Sequence, residues 1–378
     1  MTTSAPKPRT HHMLDEAAVD DDDAPISQRT RRGTGTAGAQ PSSAQISAWS
    51  FYAEYHSHKI EHLDAILPGL RQTPERAVVW LLGDSTLDNK YWLGSHKSIA
   101  RPACNGFEHV LSPAKSVPDC AYWVNRELLA RGQTGAVCVN TSVEESTLQD
   151  REGDALLPQD VFCRDSLSER DTLVVSVGGN DVALRPTAAT VVNMLMLTRS
   201  PMALIRSGCA PGTGYFVRLF RDATIAFLRK VIAQTKPRRI VLCMLYYLDE
   251  TPGGSWADRT LGVLGYDKNP EVLQLIMRTL YERISSSITA VDGVPVVPCP
   301  LYRALDGKTT ADYAQRVEPS IQGGEKLAKV IVDAVFAESA AATPWAREAA
   351  AADNAHFSLH CTRTRHTLCP WHTHVHVP

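Results

Sequence analysis

Short unbroken apolar runs alternate along the chain with stretches in which apolar residues return every three or four positions. The runs at 77–82, 136–140, 172–177, 239–245 and 294–297 have the length of strands. Strands buried on both faces of a parallel sheet read this way, without the in–out alternation of a half-exposed sheet. Helical spacing marks 120–131, 188–206, 215–234, 270–288 and 322–336. In 270–288 a proline takes the first position, where its missing N–H is no loss, and Leu273, Ile276, Leu280 and Ile284 share one face. Ahead of the first strand, Ile46, Trp49, Ala53, His56, Ile60, Leu63 and Leu67 predict one helix over 46–67, ended by Pro68-Gly69. Strand alternating with helix implies parallel strands joined by right-handed crossovers. The predicted architecture is a three-layer, flavodoxin-like α/β fold with about five parallel strands.

Polar residues gather where these strands end. Gly83-Asp84-Ser85 follows the first, and Asn140-Thr141-Ser142-Val143-Glu144-Glu145-Ser146-Thr147 the second. The third runs into Gly178-Gly179-Asn180-Asp181, and a longer loop after the fifth reaches Val317-Glu318-Pro319-Ser320. Open α/β sheets bind ligands just beyond the carboxyl ends of their strands, so a hydroxyl at position 85 is expected at the mouth of the sheet. The same Asp-Ser pair also suits a helix N-cap, and the local pattern leaves both readings open. Turns draw on Gly, Asn, Asp and Ser anyway, but four such clusters on one edge exceed what turn chemistry requires.

Composition narrows the class. Residues 45–340 suffice for one α/β domain with a sizeable core. Residues 1–44, rich in Ser, Thr, Pro, Gly and Ala with charge runs at Asp20–Asp23 and Arg29–Arg32, are expected to be disordered. So are residues 341–378, where an alanine-rich stretch leads to His356, His360, Cys361, His366, Cys369, His372, His374 and His376. Those are zinc-ligand types, but their spacing matches no finger. A net charge of −2 offers no basic field for nucleic acid. No apolar run reaches the ~20 residues of a membrane span, and the amino terminus lacks the apolar core of a secretion signal. A soluble, cytoplasmic protein is expected, with its nine cysteines as reduced thiols. His56, His58 and His62 lack a carboxylate or thiol cluster to complete a metal site. They are expected on the surface, and no metal or cofactor is expected.

With these blocks in this order, the chain resembles the SGNH (GDSL-like) hydrolases, a superfamily of esterases, lipases and carbohydrate or thioester deacylases. Gly83-Asp84-Ser85 matches the first block and Gly178-Gly179-Asn180-Asp181 the third; Glu318-Pro319-Ser320 with Gly323 and Leu327-Ala328 resembles the end of the last. The resemblance spans roughly residues 76–338. It implies Ser85 as nucleophile, with its own N–H and the Asn180 amide donating to the oxyanion. It also implies a small-molecule, lipid or carbohydrate ester as substrate. Asp84, Asp88 and Gly179 are expected to border that substrate. Trp92 and Trp256, the latter in the loop 249–269, are expected to cap it or else to pack in the core.

Two positions depart from the family's pattern. The second block normally offers a glycine N–H; the matching residue here is Glu145, whose N–H can still donate provided its carboxylate points away. The last block normally carries Asp, two residues, then His; those positions read Gln315 and Glu318. All 13 histidines lie at or before His109 or at or after His356. His96 is expected to be an exposed loop residue, and Asp353-Asn354-Ala355-His356 falls in the tail. Glu318 is therefore the base candidate, although a carboxylate of ordinary pKa ~4.3 is a weaker base than an imidazole at ~6.5. Burial beside Glu145 would raise it. A serine-dependent ester hydrolase follows; the alternative is a non-catalytic binding protein that uses the same cleft.

Overall fold

A computed structural model describes residues 45–346. Its main sheet has six strands: β1 (Ala77–Gly83), β2 (Ala136–Asn140), β3 (Thr172–Ser176), β4 (Arg239–Met244), β5 (Ala290–Val291) and β6 (Val294–Pro300). The spatial order is β2-β1-β3-β4-β6-β5. The five long strands are parallel, as expected, and β5 adds a short antiparallel edge that the apolar pattern did not reveal. Counting the parallel strands alone, the order is the flavodoxin-like one. Its switch point lies between β1 and β3, where crossovers leave in opposite directions and open a crevice. Gly83 pairs with Ser176 in that register, so the loops after both strands emerge side by side.

Two helical layers cover the sheet. On one face, Val78, Trp80 and Leu82 pack with Leu63, Ile66 and Leu70 of α1 (Ile60–Arg71) and with Phe162 of α3 (Pro158–Ser166). On the other, Val79 and Leu81 meet Val124 and Leu128 of α2 (Cys120–Ala130) and Leu327 and Ile331 of α10 (Ile321–Phe336). A third apolar cluster lies beyond the sheet's edge. It is built by α4 (Gly179–Ala183), α5 (Ala188–Thr198), α6 (Met202–Ser207), the short helix Thr213–Val217 with the π-helical turn Arg218–Ala223 after it, α8 (Asp258–Val263) and α9 (Pro270–Arg283), whereas α7 (Thr224–Val231) packs in the first cluster through Phe227, Leu228 and Val231.

Several helix expectations need correction. The segment 46–67 is not one helix. A two-residue strand and the short helix Ala48–Phe51 lead into a loop, and α1 starts only at Ile60 and runs past Pro68 to Arg71. His58 is buried rather than on the surface, stacked on Phe51 with ring centroids 3.9 Å apart and with Nδ1 2.7 Å from the Phe51 carbonyl oxygen. The stretch 188–206 breaks at Pro201, which has no N–H to continue the ladder. The loop 249–269 contains α8, and α3 went unseen in the sequence. The packed chain also continues past 340, with Thr343 and Trp345 buried. The expected tails, 1–44 and the histidine-rich stretch, lie outside the described residues apart from that short continuation. Among the described residues no helix is long and apolar enough to cross a membrane, and no His, Cys, Asp and Glu cluster could hold a metal ion.

Candidate active site

The site begins with a backbone requirement. Gly83 ends β1 at φ 142°, and a Cβ there would sit 1.8 Å from the Ser176 carbonyl oxygen. Only glycine lets the chain turn this close to β3, and the turn delivers Ser85 to the crevice. Asp84 accepts the Thr86 N–H at 3.1 Å, which tightens the turn around the serine.

Ser85 borders one cavity with Glu318, 233 positions later in the chain by their numbers, and its hydroxyl lies near enough to the carboxyl to favour the ionised form. Glu318 is fixed from both sides in the chain. Tyr246 donates its hydroxyl to the Val317 carbonyl oxygen at 2.6 Å, and the Asn89 amide donates to the Pro319 carbonyl oxygen at 2.8 Å. Asn89 also accepts the Cys120 N–H at 3.0 Å, so one side chain ties the Ser85 loop, α2 and the Glu318 segment together. The Glu318 carboxyl is pushed up from its ordinary value to about 8, first by burial and then by the neighbouring acids Asp84, Asp88 and Glu145; the nearby Ser85 hydroxyl opposes the rise. Glu144 is displaced upward as well, by its own burial and by Glu318. Asp84, fully buried, rises to about 6. Asp84, Glu144 and Glu318 each keep one buried carboxylate oxygen without a protein partner.

Asn180 sits on α4 and borders the same cavity as Ser85 and Glu318. Its amide donates one N–H to the Ser146 carbonyl oxygen at 3.1 Å, which leaves the second for a ligand. Neither the Ser85 nor the Glu145 N–H donates to a backbone carbonyl among the described residues. Glu145 has φ 60°, the left-handed conformation that glycine adopts without strain. Its carboxylate faces away from the cavity, accepting the Tyr55 hydroxyl at 3.0 Å and lying 3.6 Å from the His56 ring nitrogen.

The remaining expectations divide. Asp84, Gly179 and Trp256 line the cavity with Ser85. Asp88 does not. Its carboxylate is spent on Lys90 Nζ at 2.6 Å, the Ser57 N–H at 2.7 Å and the Glu144 N–H at 3.0 Å, with both charged side chains fully buried. It is a knot between three loops. Trp92 also lies outside, donating its indole N–H to Glu144 at 3.1 Å and facing a separate open groove with Trp123 and Arg101. His96 is half-buried rather than exposed, with its ring 3.1 Å from the Lys90 carbonyl oxygen. It does not border the cavity.

Arg151 and Asp160 carried no signal in the sequence pattern. This buried pair meets at 2.8 Å, and the guanidinium also reaches the Ser146 hydroxyl, the Thr147 carbonyl and the Gly83 carbonyl. It braces the loops after β1 and β2 from beneath. Asp181 plays a similar part, accepting the Leu148 N–H at 2.8 Å. An Arg and an Asp nine positions apart carry no local signal of a contact formed by the fold.

The molecule is thus a three-layer α/β domain with a serine–carboxylate pair at the switch point of its sheet. At the level of fold it is similar to solved GDSL-like lipases and acylhydrolases. One is a putative GDSL-like lipase from Parabacteroides merdae, at 15% identity and TM-score 0.37 over 69% of this chain and 95% of that one. Another is a lipase/acylhydrolase from Enterococcus faecalis, at 16% identity and TM-score 0.33 over 68% and 93%. A third is Axe2, an acetyl xylan esterase from Geobacillus stearothermophilus, at 17% identity and TM-score 0.32 over 69% and 94%. No family model matches the chain, and neither does any curated protein.

Proposed function

We propose that the protein is a serine-dependent hydrolase of carboxylic esters in which Glu318 stands in for the usual imidazole. The observation that carries this reading is the meeting of Ser85, Asn180 and the buried carboxyl of Glu318, its pKa raised, in one cavity. As Ser85 Oγ attacks the ester carbonyl carbon, the Glu318 carboxylate takes the hydroxyl proton and the carbonyl electron pair moves to oxygen. The Ser85 and Glu145 N–H groups and the free Asn180 N–H donate to that oxyanion, where each preorganised donor contributes several kcal/mol in a dry site. Collapse breaks the bond to the alcohol, which leaves with the proton from Glu318. Water then gives a proton to Glu318 and attacks the acyl carbon, and Ser85 recovers its hydrogen as the carboxylic acid departs. An organophosphonate probe is expected to label Ser85, and Ser85→Ala to abolish ester cleavage. Equal cleavage by both proteins would reject the proposal.

A specific observation also supports a second reading. Below about pH 8 Glu318 is mainly protonated and accepts no proton, and none of the described histidines borders the cavity. A site that binds an ester without cleaving it fits those facts. Binding of a substrate analogue without turnover at pH 9, where Glu318 is ionised, would favour that reading.

A further inference from the structure

We infer that the ester taken at Ser85 carries an unbranched apolar acyl chain of about four to six carbons, housed in the cavity between α4, α8 and α9. The inference rests on the hydrolase reading above and specifies its substrate.

Ser85, Asn180 and Glu318 border this cavity, and Met194, Leu261, Leu273, Ile276, Met277 and Leu280 supply much of the remaining wall. The lining carries no cationic side chain, and its only acids are Asp84 and Glu318 at the serine. Tyr246 already donates its hydroxyl to the Val317 carbonyl oxygen at 2.6 Å. A sugar hydroxyl placed here would lose its hydrogen bonds to water and find few in return, at a cost of about 1–3 kcal/mol each. An alkyl chain has no such loss.

Volume sets the length. The cavity encloses about 120 Å³. An apolar protein cavity of about 150 Å³ holds the six carbons of benzene, so this one fits about five. The chemistry assigns the cavity to the acyl side. After the first half-reaction, water must reach the acyl carbon from the side the alcohol has left, so that side has to open to solvent. The apolar chamber suits the portion that stays attached to Ser85. Trp256, 40% exposed, stands at its rim.

The test is kcat/KM for p-nitrophenyl esters from acetate to dodecanoate at pH 9. Activity is expected to climb about fourfold per methylene from acetate and to peak between butanoate and hexanoate. Ile276→Ala removes three carbons from the wall and should move the peak up by about two carbons. Leu280→Phe should move it towards acetate. A thermal melt close to wild type shows that each variant folds. A peak at acetate or dodecanoate, or a profile that neither folded variant moves, overturns the inference and leaves ester hydrolysis standing. If no ester is cleaved and the phosphonate leaves Ser85 unlabelled, the hydrolase reading fails instead. The cavity is then judged by binding of acetate, hexanoate and decanoate, read by tryptophan fluorescence with Trp256→Phe as control. Tightest binding of hexanoate sustains the assigned chain length, and any other order rejects it.

Discussion

Replacing Glu318 with glutamine removes one ionisable group from the site while keeping the side chain's shape and its place beside Ser85. In the folded protein the carboxyl titrates at about 8 against an ordinary 4.5, because it is buried among Asp84, Asp88 and Glu145. A rise of that size corresponds to roughly 5 kcal/mol of preference for the neutral form. Between those two pH values the folded chain holds a proton that the unfolded chain has released. Stability contributed by this group is therefore complete below about pH 4.5 and is lost as pH climbs through about 8. Glu318→Gln has no such loss. Glu144, relieved of a charged neighbour, would change in the same direction. Urea unfolding at pH 5 and pH 9 should show the wild type losing several kcal/mol more than the variant between the two conditions. Ester cleavage should move oppositely: the wild-type rate rises with pH to a plateau above about 8, while the variant is flat and at least about 100-fold slower. Parallel stability curves for the two proteins would refute the reasoning.

Asn180→Ala deletes the proposed oxyanion donor and one bond to the Ser146 carbonyl; kcat should fall about 10²- to 10³-fold with little change in thermal midpoint. Glu145→Gly places glycine where φ is 60° and removes a carboxylate that faces Tyr55 and is the smallest of the three acidic influences on Glu318, so kcat/KM on the high-pH plateau should stay within about threefold of wild type. A tenfold fall would place that side chain in the chemistry. Asp160→Ala leaves the Arg151 guanidinium buried without its carboxylate and should cost about 3–5 kcal/mol in chemical denaturation.

How much of this could be read from the sequence varied with the origin of each feature. The five parallel strands were legible because each is buried on both faces, and an unbroken apolar run has few other uses. β5 was not, since two residues carry no periodicity. The single helix over 46–67 failed for a different reason. Its spacing holds on both sides of the break, but Ser57 sits at φ 63° and gives its N–H to Asp88, an interaction 31 positions away that helical spacing cannot register. Ser85, Asn180 and Gly179 stood out because they follow strands. The long-range partners did not: Asn89 bonding Pro319, Arg151 beneath Gly83, and the aliphatic wall contributed by α9 are products of packing. Asp88 and Trp92 were misplaced by the same limit. Proximity to the serine along the chain suggested substrate contact, whereas both side chains turn towards Glu144.

Under the proposed mechanism Asp88 nevertheless acts on the base through charge. A carboxylate serves as a base near neutral pH only if its neutral form is favoured strongly enough, and Asp88 is among the groups that raise Glu318. Changing Asp88 alone would strand the Lys90 ammonium, 2.6 Å away and fully buried. The informative variant is Asp88→Asn with Lys90→Met, since replacing both members of a buried pair by neutral groups is often tolerated. Asp88 acts on Glu318 more strongly than Lys90 does, so with both charges gone Glu318 should still ionise more easily. The rising limb of the pH–kcat/KM profile should therefore move to lower pH, and the plateau should fall because the base is weaker. A purely structural Asp88 predicts reduced stability with an unmoved profile. A folded double variant whose limb stays in place would show that Asp88 holds three loops together and does nothing for the base.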